Sequence, residues 1–251
     1  SFLQSLKNQL EKSIEMITTL LGRCESTNRI AVGTVSDEPI LGKSRTIVRA
    51  QIGAVVIHSG LTLGSEVLAL NLLDMGYSLA NIVSQMTEGT ITSHCHQFAL
   101  IKANGMSQTS TSKTLGANAY ELTGTNYTAI SIGDGSADMV KAMVGSYIEG
   151  VSETRLEYRL ATALAAAVGT APIASRVSHS ASLAVYGAAP YPEVDMRVDL
   201  SDDALDQIRI ILHEQHLMDL YFAERRRNPK STEFSDHFIA RMKLERTKGS
   251  S

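Results

Sequence analysis

Segment after segment of this chain closes on glycine and reopens on serine or threonine. Glycine suits the left-handed residue just past a helix, and a serine or threonine hydroxyl satisfies the open N–H groups at the start of the next. Between these marks the apolar residues recur at three- and four-residue steps. The combination restricts the chain to a succession of short helices, without the βα alternation of a parallel sheet.

Residues 2–21 place Leu3, Leu6, Leu10, Ile14, Ile17 and Leu21 on one helical stripe that Gly22 closes. Residues 28–42 read as irregular or extended. From Ser44 the stretch "SRTIVRAQIGAVVIHSG" spaces Val48, Ile52, Val55 and Val56 helically and stops at Gly60. Helices follow at 65–75, 78–88 and 92–103, then a polar loop over 106–135 with a short strand or hairpin at 127–132. Helices resume at 136–149, 152–168 and 171–187. Residues 188–200 hold two of the five prolines and read as a linker. Ser201 caps a long helix with Asp202 and Asp203 in its first turn and Arg225–Arg227 in its last, which complements the helix dipole. A break at Asn228-Pro229 precedes a final helix over 232–246. The expected fold is therefore mainly α: a multi-helix, bundle-like body with a short β or loop insertion near 106–135 and terminal helical arms. Its parts are an N-terminal helix (1–27), a helical core (28–187), and a linker, long helix and basic arm (188–251).

Composition adds limits. The 251 residues are 43% apolar and 20% charged, with a formal net charge of −3, so the chain is an ordinary globular one and no polycation. The least polar stretch, "LATALAAAVGTAPIASRV", is broken by Gly169 and Pro172, which argues against a membrane span. The start "SFLQSLKNQLEK" lacks the order of a signal peptide, so a cytoplasmic or virion location is expected. Cys24 and Cys95 stand far apart, which excludes a disulfide framework and fits a reducing compartment.

Few motifs carry chemistry. In "SIGDGSADMV", residues 131–140, the pattern G-D-G-x-x-D resembles the metal loop of haloacid-dehalogenase-like phosphatases. That resemblance implies Asp134 and Asp138 as Mg²⁺ ligands. The family's D-x-D motif is absent, so the expectation is a tight turn at Gly133 and Gly135, with Ser136 capping a helix and Asp138 in its first turn. His94, Cys95 and His96 are ligand types, but neighbours two apart on a helix diverge. A buried Cys95 packing on the Phe98 side, with a histidine near the surface, is expected. A shared metal would need ligands from elsewhere in the chain, with His58 as an example. His213 and His216, three apart in "HEQH", share a helix face without a visible third ligand. No metal and no cofactor are expected, and Asp134, Asp138, His213 and His216 remain the candidates if one binds. "LGKS" ends like a phosphate-binding loop, but the glycine required five residues before Gly42 is Asp37, so that loop is rejected. Lys43, Arg45 and Arg49 remain at a helix start, where an anion such as a nucleic-acid phosphate docks.

Charge organisation decides the functional expectation. Glu193 through Glu224 contain nine acidic residues and two arginines, whereas Arg225 to Ser251 contain eight basic and three acidic residues. The basic end also has an apolar face of Phe234, Phe238, Ile239 and Met242. Such an arm docks on an acidic, apolar surface of a neighbouring copy. The expectation is a self-assembling structural protein, a homo-oligomer of the viral or phage coat or nucleocapsid kind, touching RNA or other nucleic acid through phosphates. The alternatives are an α-helical metal-dependent hydrolase and a helical adaptor. Enzymatic activity is left open, leaning against.

Overall fold

The first apolar run with enough β-branched residues to favour an extended chain is "ITTLLGR", and it forms strand β1, Ile17–Arg23. The computed structural model describes residues 16–39, 45–61, 64–88, 95–153, 155–172, 178–230 and 233–248. Strand β2 (Ile30–Ser36) pairs with β1, and β3 (Arg45–Arg49) pairs with β4 (Gly53–Ser59). Helices α1 (Ser65–Asp74) and α2 (Leu79–Thr87) precede β5 (Gln97–Lys102), β6 (Ser107–Thr111), β7 (Ala119–Gly124) and β8 (Tyr127–Ile132). Next come α3 (Ser136–Glu149), α4 (Leu156–Thr170), β9 (Ser180–Tyr186), β10 (Val194–Val198), α5 (Ala204–Arg227) and α6 (Asp236–Lys248).

The strands form two antiparallel sheets: six in the order β10-β9-β2-β1-β8-β7, and four in the order β3-β4-β5-β6. Side-chain alternation shows how they stack. In β1, Leu20 joins Met139, Met143, Leu160 and Leu164 of α3 and α4, while Leu21 joins Val32, Val56, Ile101 and Ile130 between the sheets. In the small sheet, Val55, Ile57, Phe98 and Leu100 pack on Leu70, Leu73 and Ile82 of α1 and α2. The layers therefore run helix, sheet, sheet, helix, with an apolar seam between the sheets. Each fully buried Leu or Ile there contributes roughly 1.5–3 kcal/mol.

The mainly-α expectation is thus corrected to a mixed α/β sandwich. Residues 17–21, 45–49, 53–59, 97–102 and 180–186 are in strands. A strand covered on both faces shows no alternation, so "AVVI" in β4 and "FALI" in β5 look like pieces of an apolar helix face. Glycine misled in the same direction. Gly22 ends no helix: a Cβ there would meet the Tyr147 hydroxyl at 2.7 Å, and one on Gly33 would meet Leu164 at 2.8 Å. Both glycines let a helix lie close on the large sheet. The polar loop expected over 106–135 holds three strands, β6 to β8, and the expected linker holds β10. Helices near 65–75, 78–88, 136–149 and 152–168 form where the spacing places them, as do the long helix and the last one. Ser78 caps α2 by accepting from the Asn81 N–H at 3.2 Å. Ser201 does not cap α5; Asp203 holds that position. Among the described residues no helix is long and apolar enough to cross a membrane.

The expected assembly arm folds back on its own chain. Phe234 stacks 5.2 Å from Tyr221 of α5 and 4.8 Å from Phe238, which is almost fully buried. Met242 is half-buried, and Ile239 and Leu244 stay exposed. The apolar face that seemed to need a second copy is met largely by α5 of the same chain. The N-terminal stripe from Leu3 to Ile14 lies outside the described residues.

Candidate functional site: a polar relay at one end of the seam

The seam between the sheets is apolar along most of its length and polar at one end. That end gathers the start of β1, the end of β2, the end of β4 and the start of β5. Thr19 stands opposite Thr34 in the β1–β2 ladder. Across the seam, the β4–β5 ladder slips between Ile57, opposite Phe98, and Ser59, opposite Gln97. His58 is the extra residue of that bulge, a device that commonly re-aims a side chain near a functional site.

The hydrogen bonds here have a fixed direction. The Gln97 side-chain amide faces three oxygens: Thr111 Oγ1 at 3.2 Å, the Tyr120 carbonyl at 3.2 Å and the Ser131 carbonyl at 3.1 Å. Carbonyls only accept, so the NH₂ end of Gln97 points there, and its Oε1 points at His58 Nδ1, 3.1 Å away. Nδ1 must therefore carry the proton, and His58 Nε2 is left as an acceptor. The Thr19 hydroxyl lies 2.8 Å from Nε2 and donates to it. Its remaining lone pairs accept from the Thr34 hydroxyl at 2.9 Å. At the far end Thr111 donates to a Glu121 carboxylate oxygen. The relay runs from Thr34 to Thr19 to His58, then from His58 through Gln97 and Thr111 to Glu121, and it crosses between the sheets twice, at Thr19–His58 and at Thr111–Glu121.

Burial sets the charge state. Desolvation pushes the His58 pKa down from its ordinary 6.5 to about 4, against a smaller upward pull from Gln97. The imidazole is neutral at neutral pH, as the tautomer argument requires. Thr19 and Gln97 are completely buried and Thr34 nearly so. A hydroxyl bonded to an imidazole, itself oriented through its other nitrogen, is the arrangement that activates an oxygen nucleophile.

The residues singled out from the sequence lie elsewhere. Arg45 and Arg49 sit in β3, not at a helix start, so the exposed amides that would have helped them hold an anion are missing. Arg49 is paired with Asp74 at 2.7 Å and also donates to Asn71. Lys43 and His94 fall outside the described residues. Asp134 and Asp138 are exposed, in the β8–α3 turn and the first turn of α3. Gly133 and Gly135 take φ of 117° and 76°, as a tight turn there demands, though Gly135, not Ser136, holds the cap position. Cys95 is exposed and His96 is buried, the reverse of the expectation, with His96 bonded to Ser110 at 2.8 Å. His213 and His216 lie on α5, where His216 meets the Tyr158 ring edge-on. No group of three or more His, Cys, Asp or Glu among the described residues is placed to hold a metal. Thr19, Thr34 and Gln97 went unnoticed because Thr and Gln carry no motif. Their only signal was polarity inside otherwise apolar runs.

The model of a family of unknown function, DUF1028, matches residues 18–208. The chain belongs to the DUF1028 family. The matched region takes in every residue of the relay. Among solved structures, the chain is similar to the DUF1028 protein SPO2555 from Silicibacter pomeroyi, with 18% identity, a TM-score of 0.71, and coverage of 79% of this chain and 85% of that one. A weaker likeness, 14% identity and a TM-score of 0.38 over 81% of this chain and 96% of the other, is to Anbu (ancestral beta-subunit) from Yersinia bercovieri. No curated protein matches the chain. DUF1028 membership and the shared α/β fold overturn the expected viral or phage coat or nucleocapsid subunit. Nothing in the fold or the comparisons points to a capsid, to RNA binding or to an all-α body, and self-association through terminal arms has no support.

Proposed function

We propose that this DUF1028 protein is a hydrolase of amide or ester bonds in which the Thr19 hydroxyl is the nucleophile and His58 its general base. The observation that carries this reading is the directed pair of hydrogen bonds, Thr19 to His58 Nε2 and His58 Nδ1 to Gln97. Thr19 Oγ1 attacks an acyl carbon while its proton passes to Nε2. The imidazolium so formed keeps its Nδ1–H on Gln97 and gives its Nε2 proton to the leaving group as the acyl–leaving-group bond breaks; water, losing a proton to Nε2, then attacks the acyl-Thr19 ester, and that proton returns to Thr19 Oγ1 as the acid departs. Gln97 orients the ring without carrying a charge, so it raises the basicity of His58 less than a carboxylate would. A slow enzyme is the consequence, with the developing charge on substrate supplying the pull on the proton.

The complete burial of Thr19 favours a second reading, in which the relay is a polar clamp that registers one sheet on the other. One experiment separates them. The full chain is treated with a fluorophosphonate or β-lactone acylating probe, and adducts are located by mass spectrometry. A nucleophile gives an adduct on Thr19 that disappears in Thr19→Val, a variant of equal volume, and in His58→Gln. No adduct on Thr19 in a folded protein leaves the clamp.

A further inference from the structure

At the opposite end of β1 lies a cavity of about 370 Å³ that the relay does not use. Arg23, the last residue of β1, lines one side, and Arg159 of α4 lines another. Thr19 is four residues back along the strand, about 13 Å at the usual rise per residue.

Both guanidinium groups are held by neutral partners. Arg23 donates to the side-chain oxygens of Asn126, at 2.8 Å, and Asn28, at 2.5 Å. Those asparagines are two of the three non-glycine residues with positive φ among the described residues, at 69° and 57°. The backbone thus adopts an uncommon conformation at both points that hold this one side chain. The Nε of Arg23 is shut off from solvent and has no hydrogen-bond partner among the described residues. Arg159 donates from Nε to the Tyr147 carbonyl at 2.6 Å and lies 3.7 Å over the Tyr147 ring. That contact fixes the plane of the guanidinium and leaves its terminal nitrogens uncommitted among the described residues. Neither arginine forms an ion pair with a carboxylate among the described residues. Glu25 lines the same cavity, yet it is exposed and pairs with neither. The rest of the lining is largely apolar or aromatic, including Tyr127, Ile148 and Val151. Ile148 and Val151 are exposed there, at 48% and 71%.

We infer that this cavity binds a small organic anion, whose carboxylate or phosphate is gripped by Arg159 and Arg23 and whose apolar body lies along Tyr127, Ile148 and Val151. Two pre-positioned cations without counter-charges attract one anionic group, and a planar guanidinium with an open edge binds it in a forked geometry. The exposed Ile148 and Val151 gain from being covered, which an inorganic ion cannot do. The site is separate from the relay and does not depend on Thr19 being a nucleophile.

The test is calorimetric titration of the full chain with four probes: phenylacetate, phenyl phosphate, the neutral analogue phenylacetamide, and inorganic phosphate. One or both aromatic anions bind, and whichever is tighter identifies the head group. Phenylacetamide and inorganic phosphate bind at least tenfold more weakly than the better anion. Arg159→Gln lowers that affinity at least tenfold, and Arg159→Lys, which keeps charge but loses the fork, falls between. Val151→Glu puts a negative charge at the mouth without touching the core, and it also abolishes binding. Glu25→Gln tightens it. Equal binding of phenylacetate and phenylacetamide, no binding of either aromatic anion at millimolar concentration, or binding that survives both Arg159→Gln and Val151→Glu overturns the inference.

Discussion

Acidification should destabilise this protein through His58, and the size of the effect follows from the relay. His58 is held neutral because its half-buried ring is desolvated between the sheets and because Nε2 accepts from Thr19; protonating it breaks that bond and places a charge in the seam. The displacement from 6.5 to about 4 means that the unfolded chain takes up the proton first as pH falls. Stability from this group is therefore fully present above about pH 6.5 and is progressively lost as pH falls toward 4, about 3 kcal/mol in all. The perturbation is His58→Gln, which removes the titrating group and keeps a polar side chain in place. Urea unfolding curves for both proteins, in half-unit steps from pH 4.5 to 7.5, give the free-energy difference at each pH. The wild type should lose its advantage steadily across that window, at close to 1.4 kcal/mol per pH unit between the two pKa values. An NMR titration of the His58 ring protons supplies the direct check. A midpoint near 6.5, or a difference between the two proteins that does not change with pH, refutes the reasoning about burial and tautomer together.

Two further outcomes follow from the packing. Arg29 bridges Glu157 at 3.3 Å and Glu193 at 2.8 Å, and Glu157 is buried, so Arg29→Met strands a carboxylate and should cost about 3–5 kcal/mol in urea unfolding; Arg29→Met with Glu157→Met should recover much of it. Gly22→Ala drives a methyl into the Tyr147 hydroxyl and should cost about 1–3 kcal/mol by thermal or urea unfolding, a loss that adding Tyr147→Leu should reduce.

The helices were legible in the sequence wherever one face meets a sheet and the other meets water, as in α3, with Met139, Val140, Met143, Val144 and Tyr147 buried at helical spacing. The strands were not, for two opposite physical reasons. Strands β1, β4 and β5 are covered on both faces, so consecutive apolar residues such as Leu20-Leu21, "AVVI" and "FALI" erase the period of two. Strands β6 and β7 carry "SQTST" and "AYELTG", only half-buried, so a polar composition hid them as loop. In β9 the alternation was present, with Ala181, Leu183 and Val185 buried, but its small residues also fit a helix. The candidate site was almost invisible for the same reason. Thr19, Thr34 and Gln97 come together only through cross-strand register and the docking of two sheets, and neither leaves a local motif. His58 drew attention as a possible metal ligand, whereas its partners are a hydroxyl and an amide.

The division of the relay between two sheets has a consequence for how the molecule assembles. His58, Gln97 and Thr111 belong to the small sheet, which is drawn from one continuous stretch of chain, Arg45–Thr111, together with its own two helices. Thr19, Thr34 and Glu121 belong to the large sheet, whose β1 must wait for β8 and whose β2 must wait for β9, over a hundred residues later. Local contacts form early and distant pairings late. The half that carries the imidazole is thus the half with the more local contacts, and its histidine loses water only where the other sheet lies over it. The pKa of this one side chain therefore reports whether the two sheets have met.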